Sequence, residues 1–220
     1  MDFAILNGLP EDVRRHVLAA ARLRRFARGE VVFHEGDPGD TLHLISKGKL
    51  AVRVSTSLGE TATLAVLGRG DFFGELALLS LESHRTASVV ALEVSETMAI
   101  SRDAFDELRV AQPSVQAFLV EVLGAQVRRL TEQVIEALYV PADRRVLRRL
   151  NGLARVYAIE DLVEIPMTQD DLATMAGTSR ATVNRVLGEA EQAGLIKLGR
   201  RRVTVLDPAA LAAKAGSGPL

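Results

Sequence analysis

Thr168-Gln169-Asp170-Asp171-Leu172-Ala173-Thr174-Met175-Ala176-Gly177-Thr178-Ser179-Arg180-Ala181-Thr182-Val183-Asn184-Arg185-Val186-Leu187 reads as two short helices around a tight turn. Thr168 is a good N-cap, and Asp170 and Asp171 put negative charge in the first turn, where the helix dipole favours it. Leu172, Met175 and Ala176 make an inward stripe at helical spacing. Gly177 supplies the backbone freedom of the turn. Thr178 or Ser179 caps the second helix, whose inward face is Val183, Val186, Leu187 and Ala190. Its opposite face carries Arg180, Ala181, Asn184, Arg185 and Gly188. Two arginines near a helix N-terminus on an exposed face suit entry into a DNA major groove. The same hairpin occurs in proteins that bind no DNA, so the neighbouring sequence has to decide.

Downstream, Leu195–Leu198 and Val203–Leu206 flank Gly199-Arg200-Arg201-Arg202, a β-hairpin with a basic tip. Such a wing touches the DNA backbone, and wing plus helix–turn–helix is more specific than either alone. From Ala213 onward the sequence reads as a disordered tail. Upstream, Tyr157–Pro166 contributes strand. Asp143–Val156 forms a basic amphipathic helix whose Arg144, Arg145, Arg148 and Arg149 read as a solvated face. Pro141 interrupts the pattern and marks a hinge. Before it, Leu119, Leu123, Val127, Leu130, Val134 and Ala137 or Leu138 repeat at three-four spacing in a long helix that begins at Pro113. That narrow seam predicts a two-stranded coiled coil; the competing reading is an amphipathic helix packed on its own domain.

The N-terminal part changes period. Residues 1–21 read as helix, with Pro10 in the first turn and Val13, Val17 and Leu18 inward. Val31–Phe33, Thr41–Ile45, Leu50–Val54, Ala62–Leu67 and Ala87–Val94 are short strand-like runs. Turns at Glu35–Gly39, Lys47-Gly48, Leu58-Gly59 and Gly68–Asp71 separate them, which predicts an antiparallel barrel or jelly roll. Arg102–Val110 reads as a short helix. Within the strand region, Gly74 allows close backbone approach to a ligand, and Glu75–Leu79 can form one helical turn whose N–H groups face an anion. Arg85 adds a positive fork for a phosphate, or pairs internally with Glu75 to close the loop.

The 220 residues suffice for two modest domains, and 48% hydrophobic with 25% charged content is ordinary for a globular protein. Residues 141–220 carry 12 basic and 9 acidic side chains, and residues 1–140 carry 15 and 19. A mildly basic module on an acidic one fits DNA binding by the C-terminal part. The absence of cysteine excludes disulfides, thiolate zinc sites and cysteine-ligated iron–sulfur clusters. No apolar run is long enough to span a bilayer and no leader is evident at Met1–Leu9, so a cytoplasmic, non-membrane protein is expected. With no acid–base pair or nucleophile–histidine set near the Gly74 motif, an enzyme is not expected.

Taken in order, these motifs resemble the cyclic-AMP receptor protein family of bacterial transcription regulators, also called the CRP/FNR family. The resemblance runs from Pro10 to Leu206 and rests on Glu35-Gly36-Asp37, Lys47-Gly48, Gly70-Asp71-Phe72-Phe73-Gly74-Glu75-Leu76-Ala77-Leu78, Arg85-Thr86-Ala87 and Ser179–Arg185. It implies an α+β chain: an antiparallel jelly-roll effector domain over 1–112, a dimerisation helix and hinge over 113–140, and a winged helix–turn–helix over 141–220. It implies cyclic AMP as effector, held by Gly74, Glu75, Leu76, Ala77, Arg85 and Thr86. Glu75 would meet the ribose 2′-hydroxyl, Arg85 and Thr86 the cyclic phosphate, and Val52 and Leu64 would line the pocket. Of the two adenine-facing positions, Leu130 and Thr131, only Thr131 can hydrogen-bond. The haem-binding and oxygen-sensing branches lack support here, because His16, His34, His43 and His84 form no evident ligand set and cysteines are absent.

On the DNA side the expected contacts are Thr168, Gln169, Thr178, Ser179, Arg180, Ala181, Thr182, Asn184, Arg185, Arg200 and Arg201. Double-stranded DNA with an inverted-repeat site, a second copy of the chain through residues 113–138, and RNA polymerase are the implied partners. A family member active without ligand, its pocket vestigial, is the alternative.

Overall fold

The computed structural model describes residues 3, 6, 8–55, 61–76, 84–111, 113–158 and 163–216. The expected Leu58-Gly59 turn, Ala77 and the rest of the helical turn to Leu79 lie outside them. The chain divides into two units, Met1–Thr61 with Ala65–Arg128 and Ala62–Leu64 with Arg129–Leu220.

In the first unit, α1 (Glu11–Ala20) buries Val13 and Val17, one turn apart. Eight strands follow: β1 (Arg22–Phe26), β2 (Val31–Phe33), β3 (Thr41–Lys47), β4 (Leu50–Ser55), β5 (Thr61–Leu67), β6 (Phe72–Phe73), β7 (Ser88–Ala91) and β8 (Ser95–Ser101). They form two four-stranded sheets, β1-β8-β3-β6 and β2-β7-β4-β5, the jelly roll that the turn spacing predicted. Strand β3 shows what organises it. Leu42 and Leu44 pack with Phe3, Val13, Val17, Ile100 and Phe105. Ile45, of opposite parity, packs with Leu50, Phe73 and Val89. A strand covered on both faces loses the apolar–polar alternation of a half-exposed one. Helix α2 (Arg102–Ala111) closes the first cluster with Phe105 and Leu108.

Two strands differ from expectation. The run expected over Ala87–Val94 stops at Ala91, and β8 begins after a bend. β8 hides its inward positions behind polar identities, because Ser95 and Thr97 are fully buried. Their hydroxyls are satisfied: Ser95 donates to Glu93 O, and Thr97 Oγ1 lies 3.0 Å from His43 Nδ1. β1 is an edge strand exposed at all but Phe26, and its arginines discourage pairing with another chain.

Helix α3 (Pro113–Tyr139) crosses from the first unit into the second. In the second unit follow α4 (Ala142–Tyr157), β9 (Val163–Ile165), α5 (Gln169–Ala176), α6 (Arg180–Gln192), β10 (Ile196–Gly199), β11 (Arg202–Val205) and α7 (Pro208–Ala215), with the strands ordered β10-β11-β9. Of the α4 arginines expected to form a solvated face, Arg144 is exposed, but Arg145, Arg148 and Arg149 are not free in solvent. Arg145 donates from Nη1 to Val140 O at 2.8 Å, from Nε to Ala176 O at 2.9 Å and from Nη2 to Gly177 O at 2.9 Å. Arg149 donates to Met175 O at 3.0 Å and Arg148 to Gly216 O at 3.1 Å. The last carbonyls of α3, α5 and α7 have no partner within their own helices, and α4 supplies it. The disordered tail expected from Ala213 is instead helix as far as Ala215, and residues 217–220 lie outside the described residues. Helix α7 reaches Ala215, which is fully buried with Leu211, and Asp207 caps its start by accepting from Ala210 N–H.

His43 sits between the sheets of the first unit, 5% exposed and stacked on Phe73 with ring centroids 4.9 Å apart. Burial, with Arg85 and Arg24 nearby and Asp40 in partial opposition, lowers its pKa from 6.5 to about 4. The unfolded chain therefore binds the extra proton between those two values. The stability contributed by neutral His43 is full above pH 6.5 and is lost as pH falls toward 4, amounting to up to about 3 kcal/mol. In His43→Phe the acid limb of the stability profile, followed by amide exchange in β3 and β8, becomes shallower in that window; an unchanged limb would mean that carboxylates alone set it.

Candidate functional site

In the first unit the site is built on Arg85. Its backbone is gripped by the turn at Glu35-Gly36-Asp37: Gly36 N–H donates to Arg85 O and Arg85 N–H to Asp37 O, both at 2.8 Å. His84 bridges to Pro38 beside it. The side chain is only 3% exposed. Nη1 donates to Thr41 O at 2.8 Å and Gly74 O at 3.2 Å, and Nη2 to Thr41 Oγ1 at 2.8 Å. The guanidinium lies over the Phe33 ring, 4.0 Å from its centroid. Nε is buried with no hydrogen-bond partner among the described residues.

The electrostatics follow from that enclosure. Burial lowers the Arg85 pKa from the usual arginine range, and Asp40, 3.7 Å away, opposes the shift. Asp40 is 81% exposed, so its charge is screened by water. A buried cation surrounded chiefly by neutral acceptors, its Nε unmatched among the described residues, is suited to an anion. Gly74 belongs to the same construction. Its φ is +90°, and an added Cβ would sit 2.6 Å from Arg85 Nη1 and 2.7 Å from Thr41 O.

Of the other expected pocket residues, Glu75 is half-buried, and Leu76 and Thr86 are exposed. Val52 packs partly against the Ile45–Phe73 cluster. Ala77 is outside the described residues. Leu64, 54% exposed, and Thr131 belong to the second unit. Thr41, Asp40 and Phe33 were missed by the sequence reading, since nothing local signals a partner 44 residues from Arg85.

In the second unit the helix–turn–helix forms as read. Thr168 and Asp171 make a reciprocal capping box, the Asp171 N–H donating to Thr168 Oγ1 at 3.1 Å and the Thr168 N–H to Asp171 Oδ2 at 3.1 Å. Gly177 is left-handed at φ 57°, where the chain leaves α5. Ser179, rather than Thr178, caps α6 by accepting from Thr182 N–H. Val183, Val186, Leu187 and Ala190 are buried, while Arg180, Ala181, Asn184 and Arg185 are exposed. The inward stripe of α5 is Leu172, Ala173 and Ala176, with Met175 half-buried.

Both arginines of α6 have acidic neighbours. Arg180 lies 3.4 Å from Asp170, and Arg185 donates to Glu189 at 2.8 Å and Asp143 at 2.5 Å. The wing turns over two residues, Arg200 and Arg201, the latter at φ 56°. Arg202 lies in β11 near Glu164 rather than at the tip. A cleft of about 210 Å³ between wing and hairpin is lined by Thr168, Gln169, Asp170, Arg180, Arg201 and Arg202, among others. Among the described residues no group of His, Asp and Glu is placed to hold a metal, and no helix is long and apolar enough to cross a membrane.

Comparison with known proteins agrees with both halves. The family described as "Cyclic nucleotide-binding domain" matches residues 23–111, and "Crp-like helix-turn-helix domain" matches residues 144–214. The chain is similar to the cyclic AMP receptor protein of Thermus thermophilus, with 34% identity over 208 residues, 94% of each chain. It is 30% identical over 194 residues, 86% of each chain, to the CRP-like cAMP-activated global transcriptional regulator of Mycobacterium tuberculosis. Among solved structures it is similar to the Thermus thermophilus catabolite activator protein, with a TM-score of 0.56 and 32% identity over 96% of this chain and 98% of that one. FixK2 of Bradyrhizobium japonicum shares the fold, with a TM-score of 0.76 at 18% identity over 90% and 99% of the two chains.

The Gly74 geometry generates a test. Gly74→Ala forces a side chain into a positive-φ position and onto the Arg85 fork. We expect a loss of about 1–3 kcal/mol in the stability of the first unit and displacement of the guanidinium, read by thermal unfolding and by the Arg85 side-chain NMR signals; an unshifted Arg85 would refute the contact.

Proposed function

The chain belongs to the CRP/FNR family of transcription regulators, and from that premise we propose that it is a homodimeric, sequence-specific DNA-binding regulator controlled by a cyclic nucleotide, cyclic AMP first among the candidates. One observation carries the effector half: the buried Arg85, its Nε without a partner among the described residues, cradled by Gly74 and Thr41. Arg85 and Thr86 would hold the cyclic phosphate and Glu75 the ribose 2′-hydroxyl. The names of the Thermus and Mycobacterium relatives support cyclic AMP. Ligand would act by selecting one arrangement of dimer helix and hinge from those the free protein samples.

The dimer reading is supported by the seam on α3. Leu123, Val127, Leu130, Val134 and Leu138 are 36–69% exposed, an apolar stripe that a second copy would cover. Residues 1–112 would serve as effector domain, 113–140 as dimer helix and hinge, and 141–220 as reading head. Two symmetric recognition helices would read an inverted repeat with half-sites about 34–36 Å apart. RNA polymerase, in the cytoplasm, is the proposed further partner. A second reading, a regulator active without ligand, has its own support: Thr41, Gly74 and Asp40 already engage Arg85.

Calorimetry with cyclic AMP separates the two. Cyclic AMP binds the parent, and Arg85→Leu weakens it by at least about 2–3 kcal/mol. No heat with the parent would favour the ligand-independent reading, and equal affinity in the variant would remove Arg85 from the site.

DNA selection tests the other half. Arginine pairs best with guanine O6 and N7, whereas Ala181 offers only a methyl group to a thymine. Arg180→Ala costs about 1–3 kcal/mol and loosens one base position, while Arg201→Ala weakens all sequences alike and lowers the salt slope by about one unit. Identical motifs from parent and Arg180→Ala would assign Arg180 to phosphate alone.

A further inference from the structure

We propose that Asp143, with Glu189, positions Arg185 to read a base edge, making an acidic residue of α4 a specificity determinant of the recognition helix. The inference rests on the DNA-binding reading above. An exposed arginine ordinarily samples many rotamers, and it meets phosphate as readily as base. Arg185 is 52% exposed, yet carboxylates from two elements hold its fork. Glu189 is one turn further along α6 and accepts from Nη1 at 2.8 Å. Asp143 is 42 residues distant in sequence, in the first turn of α4, and accepts from Nη2 at 2.5 Å.

Each terminal nitrogen carries two hydrogens, so one from each remains for an acceptor pair such as guanine O6 and N7. The two carboxylates also repel phosphate, which disfavours the backbone as the alternative partner of Arg185. Asp143 is itself well placed, because α4 is anchored through Arg145, Arg148 and Arg149 to the ends of neighbouring helices. Among the described residues Arg180 has weaker support: Asp170 lies 3.4 Å away, with both side chains 65% exposed. The two arginines should therefore differ, Arg185 reading stringently and Arg180 loosely.

The test is selection from random duplexes with the full-length protein, comparing the parent with Arg185→Ala, Asp143→Asn, Asp143→Glu and Glu189→Gln. Arg185→Ala identifies the base-pair column that Arg185 reads. Asp143→Asn lowers the guanine preference in that same column by about three- to tenfold and leaves the other columns unchanged. Binding to a duplex without the motif rises in the same variant, since a repelling charge is gone. Asp143→Glu restores the column. Glu189→Gln, which leaves α4 untouched, relaxes the same column, so a folding defect in the Asp143 variants cannot mimic the result. An Asp143→Asn protein that keeps the column intact, or weakens every sequence equally, overturns this inference alone. A parent that selects no motif overturns the DNA-binding reading and this inference together.

Discussion

A guanidinium taken out of water must find acceptors for its donors, and that constraint shapes both units. In the first, Arg85 draws the start of β3, the Gly74 turn and the Phe33 ring around one cation. None of these segments is adjacent in sequence. Gly74 must lack a side chain because the fork occupies that space. The turn at Gly36-Asp37 must hold the Arg85 backbone because the strands alone do not. What remains is a charge enclosed but incompletely matched, the condition under which an anionic ligand binds strongly.

In the second unit the same chemistry is turned to construction. Three arginines of α4 satisfy carbonyls at the ends of α3, α5 and α7. Two of them, Arg148 and Arg149, share the charge of Glu136, which is 6% exposed, 2.6 Å from Arg149 and 3.6 Å from Arg148. A buried carboxylate between two guanidiniums costs less than either charge would alone. Helix α4 thus becomes the hub of the unit, and the helix–turn–helix is carried on it as a rigid platform. Rigidity matters to function because a base edge is read by hydrogen bonds that tolerate little misplacement.

The arginines of α6 represent a third use. They stand in water, and Arg185 is braced there by Asp143 and Glu189, whereas Arg180 has Asp170 at 3.4 Å. Enclosed without full compensation, arginine suits the proposed anion site; enclosed with compensation, it makes a joint; exposed and braced, it suits the proposed reading of DNA.

Capping chemistry and hydrophobic period made the local architecture legible in the chain before it folds. Thr168, Gly177 and Ser179 mark helix ends by chemistry that acts within three or four residues, and Val183, Val186, Leu187 and Ala190 mark a buried face by their period. The glycine turns spaced a two-sheet domain for the same reason, and the order of motifs pointed to the family. Tertiary structure decided what depends on partners distant in the chain. Thr41 reaches Arg85 across 44 residues, and Asp143 reaches Arg185 across 42. Arg145 has the appearance of a solvated residue until the ends of α3 and α5 arrive beside it. Ser95 and Thr97 look like surface positions until two sheets close over them, and the alanines of α7 look like a tail until Leu211 and Ala215 find cover. Periodicity reports which face of an element is apolar; it carries no information about which distant polar group will satisfy a buried donor, and that pairing exists only once the chain has folded.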